Sequence, residues 1–255
     1  MYDMPEEIDV VADGSLRIIT LNRPESLNAV NDPLHSGLAT LWTRLSEDQD
    51  ARAAVLTGAG KAFSAGGDFA YLQELSQDAA LRAKTIAHGR EIVLGMARCR
   101  VPVVAAVNGP AVGLGCSLVA LSDIVYIAEN AYFADPHVQV GLVAADGGPL
   151  TWPLQMSLLL AKEYSLTGAK ISAQRAYEIG LANHVVADPV AEALAAAKKI
   201  SELPKQAVES TKRMLNIHLE RAVLASLDYA NVAEDQSFQT EDFRTIVTRL
   251  NAKKN

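Results

Sequence analysis

Cysteine is nearly absent: Cys99 and Cys116 are the only two in 255 residues. That leaves no disulfide framework and fits a reducing compartment. With five scattered histidines it also leaves no Cys/His structural zinc site, so no metal is expected. Aromatic residues make up 5% and there is no basic block; Lys plus Arg number 23 against 30 Asp plus Glu, a net charge of −7. Both shortages argue against nucleic acid as a partner. The opening residues, Met1 to Glu7, have neither a basic end nor an apolar core, so no signal or transit peptide is expected there and the expected location is cytoplasmic. One uncharged run, Val101 to Ser122, reaches membrane-spanning length. Pro102, Asn108, Gly109, Pro110, Gly113 and Gly115 break it into a strand, a turn and a helix start, which predicts buried core and no membrane contact.

What is present is an ordinary globular balance, 49% hydrophobic and 21% charged. A chain of this length buries about three quarters of its unfolded surface, enough to hold a core unaided. Strands are expected at Ile8–Asp13, Leu16–Leu21, Ala53–Thr57, Val103–Val107, Ile124–Ala128 and His184–Val186. A helix capped at Asp32-Pro33 carries Leu34, Leu38, Leu41 and Leu45 at helical spacing. Further helices are expected from about Asp78 to Arg98, over Gly115–Leu121, Ser157–Thr167 and Ser172–Ile179, and from Val190 onward. Strands alternating with helices predict a layered α/β core. A soft boundary is placed near residue 190, dividing a core of residues 1–190 from a helical region of 191–255.

Three familiar site patterns fail on spacing. Gly113-Leu114-Gly115 lacks the third glycine of a dinucleotide fingerprint, since position 118 is Leu118. Gly60-Lys61 lacks both the earlier glycine (Val55 stands there) and the following hydroxyl (Ala62) of a phosphate loop. Ser64 sits in a relaxed version of the nucleophile elbow, but His184 and His218 offer it no persuasive partner.

Two segments remain, Phe63-Ser64-Ala65-Gly66-Gly67-Asp68 and Asn108-Gly109-Pro110-Ala111-Val112-Gly113-Leu114-Gly115-Cys116. Each follows a buried strand, is rich in glycine and leads towards a helix. Small residues let a ligand approach backbone N–H groups, and a helix start adds unpaired donors. Two such donors facing one point would make an oxyanion hole. The plainer alternative, tight turns in a packed core, stays open on composition alone.

These segments resemble those of a known family. Asn22-Arg23-Pro24-Glu25-Ser26-Leu27-Asn28-Ala29, Lys61 to Asp68, Pro102 to Gly115 with Leu118 and Asp123, and Leu166-Thr167-Gly168 with Ala176 to Val186 are similar to the signatures of the crotonase, or enoyl-CoA hydratase/isomerase, superfamily. The resemblance spans about residues 8 to 250. It implies an α/β superhelix of repeated ββα units with a helical C-terminal trimerisation region, and a homotrimer or dimer of trimers. It implies an acyl-CoA thioester substrate, with coenzyme A entering as part of the substrate and no separate cofactor. By alignment the N–H groups of Ala65 and Leu114 would hold the thioester oxygen and stabilise an enolate. Ser26, Leu27, Ala29, Ala62, Phe63, Gly66, Gly67, Asp68 and Gly113 would flank the substrate and its CoA arm. Basic groups such as Arg244 or Lys253 would reach a neighbouring subunit's CoA phosphates.

The sequence departs from the family at two positions. Where its hydratases carry two acid–base glutamates, this chain has Ser117 and His137. An imidazole titrates near neutrality, so His137 is the natural replacement, with a purely structural histidine as the alternative. Asp146 has two open roles, as partner to His137 or as an N-cap for a helix near Gly148. Ser117 either binds water or substrate or caps its helix. Three readings of function follow. The first is hydratase/isomerase chemistry through a thioester enolate. The second is a His137–Asp146 hydrolase or carbon–carbon lyase, similar to a diketone-cleaving branch that has a histidine in place of Gly115. The third is a non-catalytic acyl-CoA binder.

Overall fold

The computed structural model describes residues 2–252. Strands β1 (Ile8–Asp13) and β2 (Leu16–Leu21) form a hairpin in the register Asp13↔Leu16, turning at Gly14 with φ +56°. Helix α1 (Asp32–Glu47) starts one residue ahead of the predicted cap. The Asn31 side chain accepts the Leu34 N–H at 3.1 Å, which places Asp32 and Pro33 inside the first turn. After β3 (Ala53–Gly58) come α2 (Phe69–Gln77) and α3 (Ala79–Arg98). Only the second of these helices is expected from the sequence. Asp78 ends α2 and caps α3, accepting the N–H groups of Ala80 and Leu81, so a single residue divides the two.

Next come β4 (Val103–Val107), the two-residue β5 (Ala111–Val112), α4 (Leu114–Ala120), β6 (Ile124–Ala128) and β7 (Tyr132–Ala134). A 3-10 turn at His137–Val140 and the short α5 (Gly148–Thr151) precede α6 (Leu158–Thr167). The chain continues through β8 (Ile171–Ser172), α7 (Ala173–Ile179), β9 (His184–Val186), α8 (Pro189–Glu202), α9 (Lys205–Phe238) and α10 (Glu241–Ala252).

The main sheet has the order β1-β2-β3-β4-β6-β9, parallel throughout except for the β1–β2 pair. Its central strands β3 and β4 are buried on both faces, and alternate residues serve different layers. Ala54, Leu56, Val103, Ala105 and Val107 pack with α1 and α3 in the large core. Ala53, Val55, Val104 and Ala106 pack against Ala193 and Ala197 of α8, whose small side chains let that helix lie close to the sheet. The boundary expected near residue 190 thus falls at the start of a helix that covers one face of the sheet. Helix α9 runs along α3 through Val223, Leu227 and Ala230. Helix α10 closes a third cluster in which Phe243 and Val247 meet Tyr71, Leu75 and Leu142. A second sheet, β5-β7-β8, stands beside the first and links α4 to the turn that carries His137.

Candidate active site

The site forms where β3 and β4 end side by side, as expected at the carboxyl ends of parallel strands. Asn108, just past β4, ties the two ends together. Its amide donates to Gly58 O at 2.8 Å and Gly60 O at 3.1 Å, and its carbonyl accepts the Gly58 N–H at 3.3 Å. Both glycine-rich segments then travel together. The N–H groups of Phe63 and Ser64 donate to Pro110 O, each at 3.1 Å, and Val112 donates to Ser64 O at 2.9 Å. The parallel bridge Ser64↔Ala111 sets a register that carries Gly67 and Leu114, each three residues further on, to the same cavity. Gly113 takes φ +54°, a region costly to any residue with a Cβ. It also donates its N–H to Ala134 O at 3.0 Å, which draws the end of β7 and the following His137 to the site.

The cavity they enclose measures about 210 Å³. Its wall is mostly apolar, including Val30, Phe69, Leu72, Leu142 and Phe238, and the polar groups are few and grouped. The largest group centres on His137. Nδ1 of its ring is hydrogen-bonded to Oδ1 of Asp135, and the other Asp135 oxygen accepts the Gly148 N–H at 2.7 Å. Nε2 stands 3.8 Å from Oδ1 of Asp146, an oxygen buried without a hydrogen-bond partner. Glu234, brought in by α9, lines the same cavity.

Burial opposes charge on the His137 ring. The charge and hydrogen bond of Asp135, with Asp146 and Glu234 behind it, outweigh burial and push the imidazolium pKa up to about 10. Burial also works against the Asp135 carboxylate, and the neighbouring His137 still holds it below the ordinary carboxylate range. Asp146 goes the other way, because burial raises it by more than the His137 charge lowers it. Burial, then the Asp146 charge, pushes Glu234 up to about 8. At neutral pH the ring is therefore a proton donor, and beside it stand two carboxyls that burial makes more basic than usual, Asp146 and Glu234.

The expected site residues divide into three sets. Ala65, Gly66, Gly67, Gly113, Leu114, His137 and Asp146 line the cavity. Ser26, Leu27 and Ala29 lie in the adjoining loop, and the N–H of Ala65 donates to Leu27 O at 2.9 Å. That engagement removes Ala65 as an oxyanion donor. The N–H groups of Gly67 and Leu114 have no acceptor among the described residues, so the available pair is Gly67 with Leu114. Asp68 caps α2 by accepting the Ala70 N–H and stands 3.5 Å from the Arg23 guanidinium. The third set is turned inward. Ala62 and Phe63 are buried in the fold, and the Ser117 hydroxyl donates to Gly113 O at 3.2 Å within its own helix. Asp146 does not cap the helix at Gly148, whose N-cap is Gly147, and the carboxylate that grips His137 is Asp135. Arg244 is exposed on α10, while Lys253 lies outside the described residues. Sequence reasoning missed Asp135 and Glu234. The i, i+2 pair flanking Pro136 could have signalled the first, whereas nothing local marks the second.

Residues 12–254 match the family model described as enoyl-CoA hydratase/isomerase. The chain belongs to the enoyl-CoA hydratase/isomerase family, within the crotonase superfamily. Among solved structures, an enoyl-CoA hydratase/isomerase from Mycobacterium paratuberculosis is 83% identical with a TM-score of 0.97, the match covering 97% of this chain and all (100%) of that one. A second, from Pseudoalteromonas atlantica, is 29% identical with a TM-score of 0.86, covering 97% of each. A probable enoyl-CoA hydratase of Mycobacterium bovis is 33% identical over 93% of this chain and 91% of its own. The mitochondrial enoyl-CoA hydratase of Pongo abelii is also 33% identical, over 94% of this chain and 82% of its own. Among the described residues, no helix is long and apolar enough to cross a membrane.

Proposed function

We propose that this family member acts on an acyl-CoA thioester through an enolate whose oxygen is held by the N–H groups of Gly67 and Leu114. One observation carries the proposal: two unpaired backbone donors open on the cavity that also holds the cationic His137. Donors already in place where negative charge develops need no reorganisation in the transition state. In hydration, the oxygen of water bonds to the β-carbon and a proton ends on the α-carbon. His137 is the donor to hand, and Asp146 or Glu234 the carboxyl that takes the proton from water. These three then do the work for which the resemblance would supply glutamates at Ser117 and His137. Coenzyme A comes with the substrate, and no separate cofactor is called on.

The test is solvent exchange. With butyryl-CoA in D₂O, wild type is expected to wash deuterium into the α-position, and with crotonyl-CoA to add water. His137→Gln and Asp146→Asn each lower hydration by roughly 10²-fold or more. Tight CoA-thioester binding with neither exchange nor hydration would leave the chain a non-catalytic binder and overturn the proposal.

A second reading, hydrolysis or carbon–carbon cleavage, draws support from the partnerless Asp146 oxygen beside His137. Two features weigh against it. The charged ring is a poor base for activating water. A side chain at position 115, where the diketone-cleaving branch carries histidine, would put its Cβ 2.7 Å from Ser64 Cβ. Release of free CoA thiol, or cleavage of a 1,3-diketone without CoA, would favour this reading.

A homotrimer or dimer of trimers accords with the family resemblance and with exposed apolar side chains on α6 and α9. Leu159, Leu166 and Tyr229 are 81%, 72% and 78% exposed in the single chain. Light scattering is expected to give a mass of three or six chains.

A further inference from the structure

The cavity has a second set of polar side chains, supplied by α1, α2 and α3. The three are Tyr71, Thr85 and His35. Two of them have partners within the protein. The Tyr71 and Thr85 hydroxyls lie 2.6 Å apart, Thr85 also reaches Leu81 O at 2.9 Å, and Tyr71 reaches Asp32 at 3.4 Å. His35 has none. The residue is 6% exposed, Nδ1 is buried without a partner, and among the described residues Nε2 has no hydrogen bond either. The one ring beside it, His88, stacks at 6.2 Å between centroids and 24° between planes. Stacking leaves the in-plane nitrogens unsatisfied.

An imidazole whose Nδ1 is buried without a partner costs stability, because that nitrogen forfeits its hydration, while Nε2 is left free to meet a ligand. A phenylalanine or leucine would fill the same place without that cost. We infer that His35 is a binding subsite for an oxygen function, a hydroxyl or ketone, carried by the acyl chain beyond the thioester. The inference rests on the acyl-CoA reading and specifies which acyl groups that reading admits. A neutral imidazole has one N–H donor and one bare nitrogen, so it can give a hydrogen bond to a ketone or take one from a hydroxyl. The ring is held neutral: burial, helped by the neighbouring His88, pushes its pKa down to about 4. The space suits a short chain. A cavity of about 210 Å³ holds the volume of roughly seven waters, enough for a few carbons and one oxygen. The thioester oxygen at Gly67 and Leu114 fixes one end, and an oxygen at His35 would fix the other.

The experiment compares hexanoyl-CoA with its 4-, 5- and 6-hydroxy and 4- and 5-oxo counterparts, measured by calorimetric titration on the intact protein. At least one oxygenated ligand is expected to bind wild type about tenfold more tightly than hexanoyl-CoA, the worth of one hydrogen bond in a buried site. His35→Phe should abolish that preference while binding hexanoyl-CoA as well as wild type or better. His35→Gln, which keeps a donor and an acceptor, should retain part of it. Thermal melting of both variants shows that they are folded. If wild type binds all six thioesters equally, or the preference survives in His35→Phe, the His35 subsite is overturned and the acyl-CoA reading stands. If none of the six binds, the acyl-CoA reading falls and the subsite falls with it.

Discussion

Asp135 holds His137 by Nδ1 while its second oxygen accepts the backbone N–H of Gly148 at 2.7 Å. A carboxylate with both oxygens committed cannot rotate, so it fixes the ring and keeps it charged. Asparagine at this place has a single acceptor oxygen for two donors. Asp135→Asn is expected to lower the His137 pKa from about 10 towards the ordinary histidine range and to cut kcat roughly 10²-fold with little change in KM. An NMR titration of the imidazole reads the first effect. An unchanged titration curve would show that Asp135 is not what charges the ring.

The oxyanion pair can be tested at a single atom. Leu114 is the first residue of α4, a position where proline is tolerated because its N–H has no helical partner in any case. Leu114→Pro deletes the donor; Leu114→Ala shortens the side chain and keeps it. The proline variant is expected to lose roughly 10²- to 10³-fold in kcat beyond the alanine variant, at similar melting temperature. Equal activity in the two would remove Leu114 from the site.

These residues show how far the sequence reaches. The main-sheet strands are readable because β4 is an unbroken apolar run and β3 one as far as Leu56, both buried on both faces, and β2 alternates. Strands β5 and β8 have two residues each, too few for a period to register. Helix α2 hides behind the glycine-rich loop, since its start is marked only by Asp68, which also reads as the end of that loop. The two backbone segments of the site are visible as glycine patterns. Which N–H along Ala65–Gly67 stays unpaired is not, because the answer lies in the Leu27 carbonyl, a loop away. Glu234 reaches His137 only because α9 packs along α3, so its contribution exists in the tertiary structure alone.

That placement makes stability depend on pH with a definite sign. His137 titrates at about 10 when folded against about 6.5 when unfolded, so its contribution is complete below pH 6.5 and lost as pH rises towards 10. Glu234 titrates at about 8 when folded against 4.5 unfolded, so it loses stability as pH rises from 4.5 through 8. Both terms fall in the same direction. Glu234→Gln mimics the protonated carboxyl at every pH. Its Tm should match wild type near pH 5 and exceed it increasingly towards pH 8 to 9. A Tm difference that stays constant across this range would mean that Glu234 does not titrate there.

Asn28 organises the loop that would meet the CoA arm. It is fully buried (0% exposed) and adopts φ +55°, which asparagine tolerates better than most residues. Its amide donates to Ala59 O and Ala62 O, each at 2.9 Å, and its carbonyl accepts the Arg23 N–H at 2.8 Å. Three segments are thereby locked: the loop itself, the turn after β3, and the strand of chain leading to Gly67. Asn28→Ala leaves two carbonyls and one N–H unpaired in the interior, and costs about 2–4 kcal/mol. At about 2–4 °C per kcal/mol for a chain of this size, Tm should fall by roughly 5–15 °C. Below that temperature the acid–base groups around His137 remain in place, so the expected kinetic signature is a raised KM for crotonyl-CoA with kcat within about threefold of wild type. A collapse of kcat at unchanged KM would place Asn28 in support of the chemistry instead of the CoA-facing loop.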